Sequence, residues 1–355
     1  MLNSLLTNSV LFRTGLAFLT ALVVSLAAGA RLIRFFHRKN VIEDTTQPDH
    51  AGLNAIQSQK KNVPTMGGLM ILAAVFVSAL LWSNVFSPYV LIGLLVLAVL
   101  GAAGFADDYI KLKHKPSRGL TKTQKLAVQL LLGGIVGCLL IKRSVDPLGA
   151  EPVSPAYGLG HFHQGWIYVT WCGLFMAATS NAVNLTDGLD GLAGSLTVLA
   201  SAAMAVLIYE LGVRLPWALP MPVMGDGARS LCTILSATAG GVVGFLWFNR
   251  HPARVFMGDT GSLALGGILA YVALAEKLEF FLLVAGAVFF IEELTVAMQI
   301  AGFKLTGRRI FPITPIHHYF QVNLGWAEPY IVLMALLFGA TFTVLALILY
   351  LLSRM

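Results

Sequence analysis

The sequence predicts an all-α, polytopic membrane protein of about ten transmembrane helices, with both termini on the outer (periplasmic) side. Three observations predict it. Of the 355 residues, 57% are hydrophobic and 12% charged, and mean hydropathy is +0.78, well above the roughly 45–50% apolar usage of soluble domains. Apolar runs of about 20 residues, the length that spans a bilayer, recur from end to end, so residues 1–355 read as a single integral-membrane domain. The basic residues are also sorted by loop: of 24 Lys and Arg, 17 fall on one set of loops and 7 on the other, and the positive-inside rule puts the larger set in the cytoplasm. That sorting assigns the net charge of +7 to membrane orientation and not to nucleic acid.

In order along the chain, the first span, 10–33, is too long for a signal-peptide core and lacks a convincing cleavage site, so it reads as a retained helix. The polar segment 34–65 ends in KKNVPTMGG, where Pro64 and two glycines turn the chain into the second span, 66–86. The third, 88–106, ends at Asp107-Asp108, and DDYIKLKHKPSRGLTKTQK, with six Lys/Arg after the aspartates, leads to the fourth, 123–141. An outer loop, 142–164, carries His161 and His163 but no matching cluster. Spans 165–184 and 191–211 flank NLTDGLDG, and 230–248 contains Gly240, Gly241 and Gly244, which at mid-membrane read as close helix packing. Spans 261–275, 279–302 and 328–352 complete the set, with a cytoplasmic segment, 303–327, that combines Arg308-Arg309, prolines and His317-His318. Cys138, Cys172 and Cys232 lie singly in apolar runs, without pair spacing for zinc or redox work, and read as small core residues.

Five aspartates stand where spans meet cytoplasmic loops: Asp107, Asp108, Asp187, Asp190 and Asp259. A carboxylate near hydrocarbon costs several kcal/mol unless it is paired or metal-bound. Asp107 and Asp108 repel each other and want a divalent cation or nearby positive charge; the alternative is a solvated interfacial pair. Asn184, Asp187 and Asp190, spaced three apart, share a face if their segment is helical, or the aspartates cap helices. Asp259 precedes Thr260-Gly261-Ser262, where free N–H groups at a helix start suit a phosphate, or it is an N-cap. Glu292, inside a span, calls for a partner. Because all the aspartates share one membrane face with lysines and the histidine pair, the joint reading is Mg²⁺-assisted phosphoryl transfer at the cytoplasmic surface. A transporter is the alternative of a different class, and it predicts charges near the bilayer midplane instead.

PTMGG at 64–68, GFADDY at 104–109, NAVNLTDGLDGLA at 181–193, FNRHPARVFMGDTGSLALGG at 248–267 and GRRIFPITPIHHYF at 307–320 resemble, in order, the motifs of the phospho-N-acetylmuramoyl-pentapeptide-transferase family. This is the bacterial translocase I of peptidoglycan synthesis, within the polyprenyl-phosphate N-acetylhexosamine-1-phosphate transferases. The resemblance implies transfer of phospho-MurNAc-pentapeptide from UDP-MurNAc-pentapeptide to undecaprenyl phosphate, giving lipid I and UMP. It implies Mg²⁺ as cofactor, the bacterial inner membrane with the site facing the cytoplasm, and a homodimer. Within the matched motifs it marks Asp107, Asp108, Asp259, His317 and His318 as catalytic, with Asp107 the base for the lipid phosphate. It places Asp259 and Asp187 at the metal, Lys111 and Lys125 near the phosphates, and Lys60, Asp190 and Phe256 in a uridine pocket. Thr65, Asn184 and Asn249 are the further substrate-binding positions. Tyr319 stands where the family commonly has a third histidine, and Pro312-Ile313-Thr314 departs from the usual basic-led stretch. The related polyprenyl-phosphate GlcNAc-1-phosphate transferases share the aspartate motifs, but PIHH and Trp326, Glu328 and Pro329 favour the muramoyl family.

Overall fold

The computed structural model describes residues 10–39, 41–42, 60, 62–113, 119–144, 165–210 and 226–352, with backbone alone at 142–144 and 226. The middle of the polar 34–65 segment, Lys61, Lys115, Arg118, Arg214, Arg354 and nearly all of the outer loop with His161 and His163 lie outside these residues. Among the described residues the fold is all-helical: α1 Val10–Arg38, α2 Gly68–Trp82, α3 Pro88–Lys113, α4 Lys122–Ser144, α5 Gly165–Thr186, α6 Leu192–Ile208, α7 Asp226–Asn249, α8 Gly258–Glu276, α9 Glu279–Ala285, α10 Ala287–Thr306, α11 Ile316–Val322 and α12 Glu328–Leu352. Six of them (α1, α3, α4, α7, α8 and α12) are long and apolar enough to cross a membrane. Helices α9 and α10 meet that test together but bend by 86° at Gly286, and α2 and α6 are shorter apolar helices. Every apolar stretch expected from the sequence coincides with one of these helices or, for 279–302, with the bent pair.

Helix α8 is the axis of the bundle. Every residue from Thr260 to Glu276 is buried, enclosed mainly by α3 and α5, with further contacts from α2, α6 and α9. The outer helices are apolar on their exposed sides, with Leu19 and Val23 on α1 and Leu337 and Ile348 on α12, as hydrocarbon contact requires. Lipid offers no hydrophobic drive between helices, so close approach through small residues holds them together. A Cβ on Gly240 would stand 2.1 Å from the Phe18 carbonyl oxygen, and one on Gly244 would stand 2.6 Å from Ser25 Cβ, so these glycines seat α7 on α1. Buried hydroxyls find carbonyls across helices: Ser78 donates to Ala17 at 2.8 Å and Tyr271 to Tyr89 at 2.7 Å. Cys172 and Cys232 are buried as expected, but Cys138 is exposed on the outside of α4.

Candidate active site

The site is built around the first turn of α8. Gly258, at φ +72°, adopts a conformation that side chains rarely allow, and its Cβ would lie 2.5 Å from Asp108 Oδ2. Asp108, in the penultimate turn of α3, accepts the backbone N–H groups of Asp259 and Thr260 at 3.0 Å each, and the Thr260 hydroxyl at 2.6 Å. It therefore caps α8 from a neighbouring helix, satisfying donors that the first turn cannot satisfy itself. Such a fit needs the backbones nearly in contact: a Cβ at Gly104 would stand 2.1 Å from the Asp259 carbonyl oxygen, and one at Gly68 would stand 2.2 Å from the Gly261 nitrogen. The strand-like segment before α2 completes the wall, with Phe256 N–H donating to Pro64 and Gly67 N–H to Phe256, both at 2.8 Å.

Asp107 is fully buried beside it. Leu120 N–H donates to Asp107 Oδ1 at 2.7 Å, and Lys111 and Lys125 stand 2.8 and 3.0 Å from Oδ2. The same two ammonium groups reach Asp259: Lys111 at 3.7 Å, and Lys125 in a short direct bond. Lys125 is aimed by a capping box at the start of α4, where Thr121 Oγ1 accepts Gln124 N–H at 3.2 Å and Gln124 Oε1 accepts Thr121 N–H at 2.8 Å. Asn184, from the last turn of α5, donates to Asp259 Oδ1 at 2.9 Å. Asp107, Asp108 and Asp259 present carboxylate oxygens that all lie within 4.8 Å of one another. This all-oxygen set suits a hard divalent cation.

Helix α5 stops at Thr186 and the chain turns through Asp187–Gly191, with Gly191 at φ +82°. Asp187 lies in that turn with no hydrogen-bond partner for its carboxylate among the described residues. Burial, and then the charges of Asp259, Asp108 and Asp190, push it well above the usual carboxylate range. The His317 ring packs so tightly on this turn that a Cβ at Gly188 would stand 2.2 Å from its Nε2. Behind it, Glu292 Oε2 lies 3.3 Å from His317 Nδ1 and accepts the His317 backbone N–H at 3.4 Å. His318 touches His317 at 4.2 Å between centroids, and its Nδ1 is 3.3 Å from Gln321 Oε1.

A second polar centre adjoins the turn. Lys60 donates to Asp190 Oδ1 at 2.6 Å and to Glu328 Oε1 at 2.7 Å. Asp190 Oδ2 accepts Ala253 N–H at 2.9 Å and lies 3.1 Å from His251 Nδ1, while the Asp190 N–H donates to Glu328. Asn249 clamps the two loops, accepting Gly191 N–H and donating to Val255, both at 2.9 Å. Lys60 also stands 5.9 Å from the Phe256 ring centroid.

Residues 90–277 match the family described as Glycosyl transferase family 4. Among curated proteins, the chain is 39% identical over 366 residues to a phospho-N-acetylmuramoyl-pentapeptide-transferase of Gemmatimonas aurantiaca, covering 96% of this chain and 94% of the relative. It is 39% identical over 334 residues to the protein of that name from Caulobacter vibrioides (91% and 88% covered) and 40% over 332 residues to that from Caulobacter sp. strain K31 (91% and 87%). The chain belongs to the phospho-N-acetylmuramoyl-pentapeptide-transferase family. It is thereby a membrane transferase of the glycosyl-1-phosphate class.

Set against the expectations for this family, the structure gathers the aspartates, both lysines, Asn184 and the histidine pair around one end of α8 and the turn beside it. Asp107 and Asp108 are not a solvated interfacial pair, since both are wholly buried. Neither Asp187 nor Asp190 caps a helix, because α6 starts from Gly191 without a side-chain cap. Asn184, Asp187 and Asp190 do not share a helical face: the glycines end α5 at Thr186, before the two aspartates. The N–H groups of Asp259 and Thr260, expected to be free for a phosphate, are already held by Asp108. Asp187 falls outside the cluster whose oxygens could share a cation; Asp107 and Asp108 join Asp259 there instead. Thr65 is buried where its Oγ1 would meet a Cβ at Gly258, so it backs the α8 turn. Tyr319 meets Phe320 edge-on at 6.0 Å. Residues that the motifs did not single out are His251 and Gln124, along with Glu328 in its contact with Lys60. For Glu328, the signal in the sequence was an acidic residue directly before Pro329 at the start of a span.

Proposed function

We propose that this protein transfers phospho-MurNAc-pentapeptide from UDP-MurNAc-pentapeptide to undecaprenyl phosphate, releasing UMP and leaving lipid I, in the bacterial inner membrane. In this reading the chain makes ten spans, with 165–184, the shorter α2 and α6 and the bent pair counted among them. Both termini are periplasmic, the aspartates face the cytoplasm, and the protomers pair as a homodimer. The observation that carries the reading is the pair of lysines lying between Asp107 and Asp259. They are positive charges on flexible stems, placed where a diphosphate would need them.

Asp259, with Asp107 and Asp108, would hold Mg²⁺, which when bound neutralises the diphosphate and stabilises the leaving UMP. The chain's own residues do the rest. Lys111 and Lys125 exchange their carboxylate partners for phosphate oxygens, which frees an Asp107 oxygen to accept the proton of the lipid phosphate. The lipid phosphate oxygen then attacks the β-phosphorus, and the bond from that phosphorus to the UMP oxygen breaks. Asp108 keeps the first turn of α8, and so Asp259, fixed throughout. Asp187, with His317 and His318 beside it, faces the sugar-phosphate, while Lys60, Asp190, Asn249 and Phe256 form the uridine end.

The deciding experiment is UMP release by the purified protein in detergent, given undecaprenyl phosphate and Mg²⁺ with either UDP-MurNAc-pentapeptide or UDP-GlcNAc. Turnover with the pentapeptide alone is expected, and turnover with UDP-GlcNAc alone would overturn the substrate assignment. A labelled phosphosugar trapped on the enzyme without lipid would replace direct attack by a covalent route through a carboxylate.

A further inference from the structure

We infer that Glu328, the first residue of α12, is a positioning residue for nucleotide recognition: it fixes Lys60 and the Asp190 backbone in the arrangement that receives the uridine. This rests on the reading above that Lys60, Asp190 and Phe256 form the uridine end. It adds a residue from the last helix and says how that residue acts.

One oxygen, Glu328 Oε1, takes both the Lys60 ammonium at 2.7 Å and the Asp190 backbone N–H. The carboxylate is therefore a junction between three elements that are distant in sequence: the segment before α2, the turn between α5 and α6, and α12. It is 7% exposed, and a carboxylate that buried is costly unless a cation and donors meet it. Lys60 is that cation, and on the other oxygen His251 Nδ1 lies 3.6 Å from Glu328 Oε2.

The geometry also defines what Lys60 can do. An ammonium has three N–H donors on a flexible four-carbon stem. Two are engaged, by Asp190 and by Glu328, which sets the direction of the stem and leaves the third for an acceptor on a ligand. With Asp190 alone, the ammonium would be held at a single point and could swing about it. With Glu328 as well, its position relative to the Phe256 ring, 5.9 Å away, is fixed before the nucleotide arrives, and preorganisation of this kind lowers the ordering cost of binding. The anchor is itself rigid. Glu328 sits in the first turn of a helix, where the dipole favours its charge, followed by Pro329, which suits that turn.

The test is steady-state kinetics of Glu328→Gln, Glu328→Asp, Lys60→Met and the double variant Lys60→Met/Glu328→Gln, with UDP-MurNAc-pentapeptide and undecaprenyl phosphate varied separately. Removing the charge from a buried hydrogen-bonded pair is expected to raise KM for the nucleotide substrate about tenfold, with kcat and KM for the lipid within about twofold. Glu328→Asp should recover part of the loss, and Glu328→Gln, whose amide oxygen can still accept the Asp190 N–H, should add little to Lys60→Met, because the two changes then act through one ammonium. An unchanged nucleotide KM in Glu328→Gln would overturn the inference. So would a fall in kcat together with the thermal midpoint and no KM change, or multiplicative effects in the double variant. If Glu328→Gln does not accumulate, Glu328→Asp carries the same comparison. If Lys60→Met itself leaves the nucleotide KM unchanged, the uridine pocket reading falls; if it raises KM while Glu328→Gln does not, only the role of Glu328 falls.

Discussion

Two centres in this molecule solve the same electrostatic problem in different ways. In each, two carboxylates from distant parts of the chain are drawn together by lysine: Asp107 and Asp259 by Lys111 and Lys125, and Asp190 and Glu328 by Lys60. In the first, among the described residues, the Leu120 N–H is the backbone donor to the Asp107 carboxylate and the Asp259 carboxylate is otherwise met by the Asn184 side chain. The N–H groups of Asp259 and Thr260 go to Asp108, outside the lysine contacts. In the second, the backbone N–H groups of Asp190 and Ala253 are part of the network. Lysine stems can change partners by rotating, but a backbone N–H cannot leave without unwinding its turn. On the proposed reading, the first centre is thus the one whose lysines exchange partners when a diphosphate arrives, and the second the one that keeps its shape.

The sharpest way to break this contrast is Asp259→Asn. Loss of roughly 10²–10³-fold in kcat is expected, with the protein still inserted and folded; substantial UMP release with normal Mg²⁺ dependence would remove Asp259 from the exchanging centre. Next is Lys125→Met, expected to lower kcat by about tenfold or more with little change in nucleotide KM, the opposite of Lys60→Met. If both variants change only KM, the two centres are not different in kind. Gly104→Ala tests whether the first centre depends on backbone proximity. Its methyl would stand 2.1 Å from the Asp259 carbonyl oxygen, and overpacking of this kind costs about 1–3 kcal/mol, to be read as a lower thermal midpoint in detergent.

The smallest effect is expected at Lys277, at the other end of α8 from Asp259. There the ammonium lies 3.2 Å from the Tyr168 ring centroid, and burial brings it down to about 8. Between that value and its ordinary 10.5 the unfolded chain binds this proton more than the folded one does, so the contribution of Lys277 to stability should rise with pH across this window. Lys277→Met should flatten that rise in a pH series of thermal midpoints. An identical rise in the variant would show that burial alone does not make a lysine costly here.

Much of this was legible in the sequence because each signal was local. Apolar runs mark the helices, and Asp107, Asp108, Asp187, Asp190 and Asp259 stand at their ends. Three features were not legible, each for a physical reason. The 279–302 run is continuous in hydropathy, so nothing in its composition announces the 86° bend at Gly286. Asp108 acts as a cap across helices, which needs the approach of α3 to α8 that Gly104 permits and that no spacing encodes. Lys60 and Glu328 are 268 positions apart, and neither residue type at a span edge signals its partner.

That separation also sets an order in time. Lys60 belongs to the early part of the nascent chain, while Glu328 enters only with the last helix. As the protein is made and threaded into the membrane, the aspartates on α3 and α8 and the lysines beside them are all in place before α12 emerges. The clasp on Lys60 closes last. On the reading proposed above, a chain halted short of Glu328 would carry the aspartate–lysine cluster around α8 but lack the second contact on Lys60, so the uridine end is completed only with the final helix.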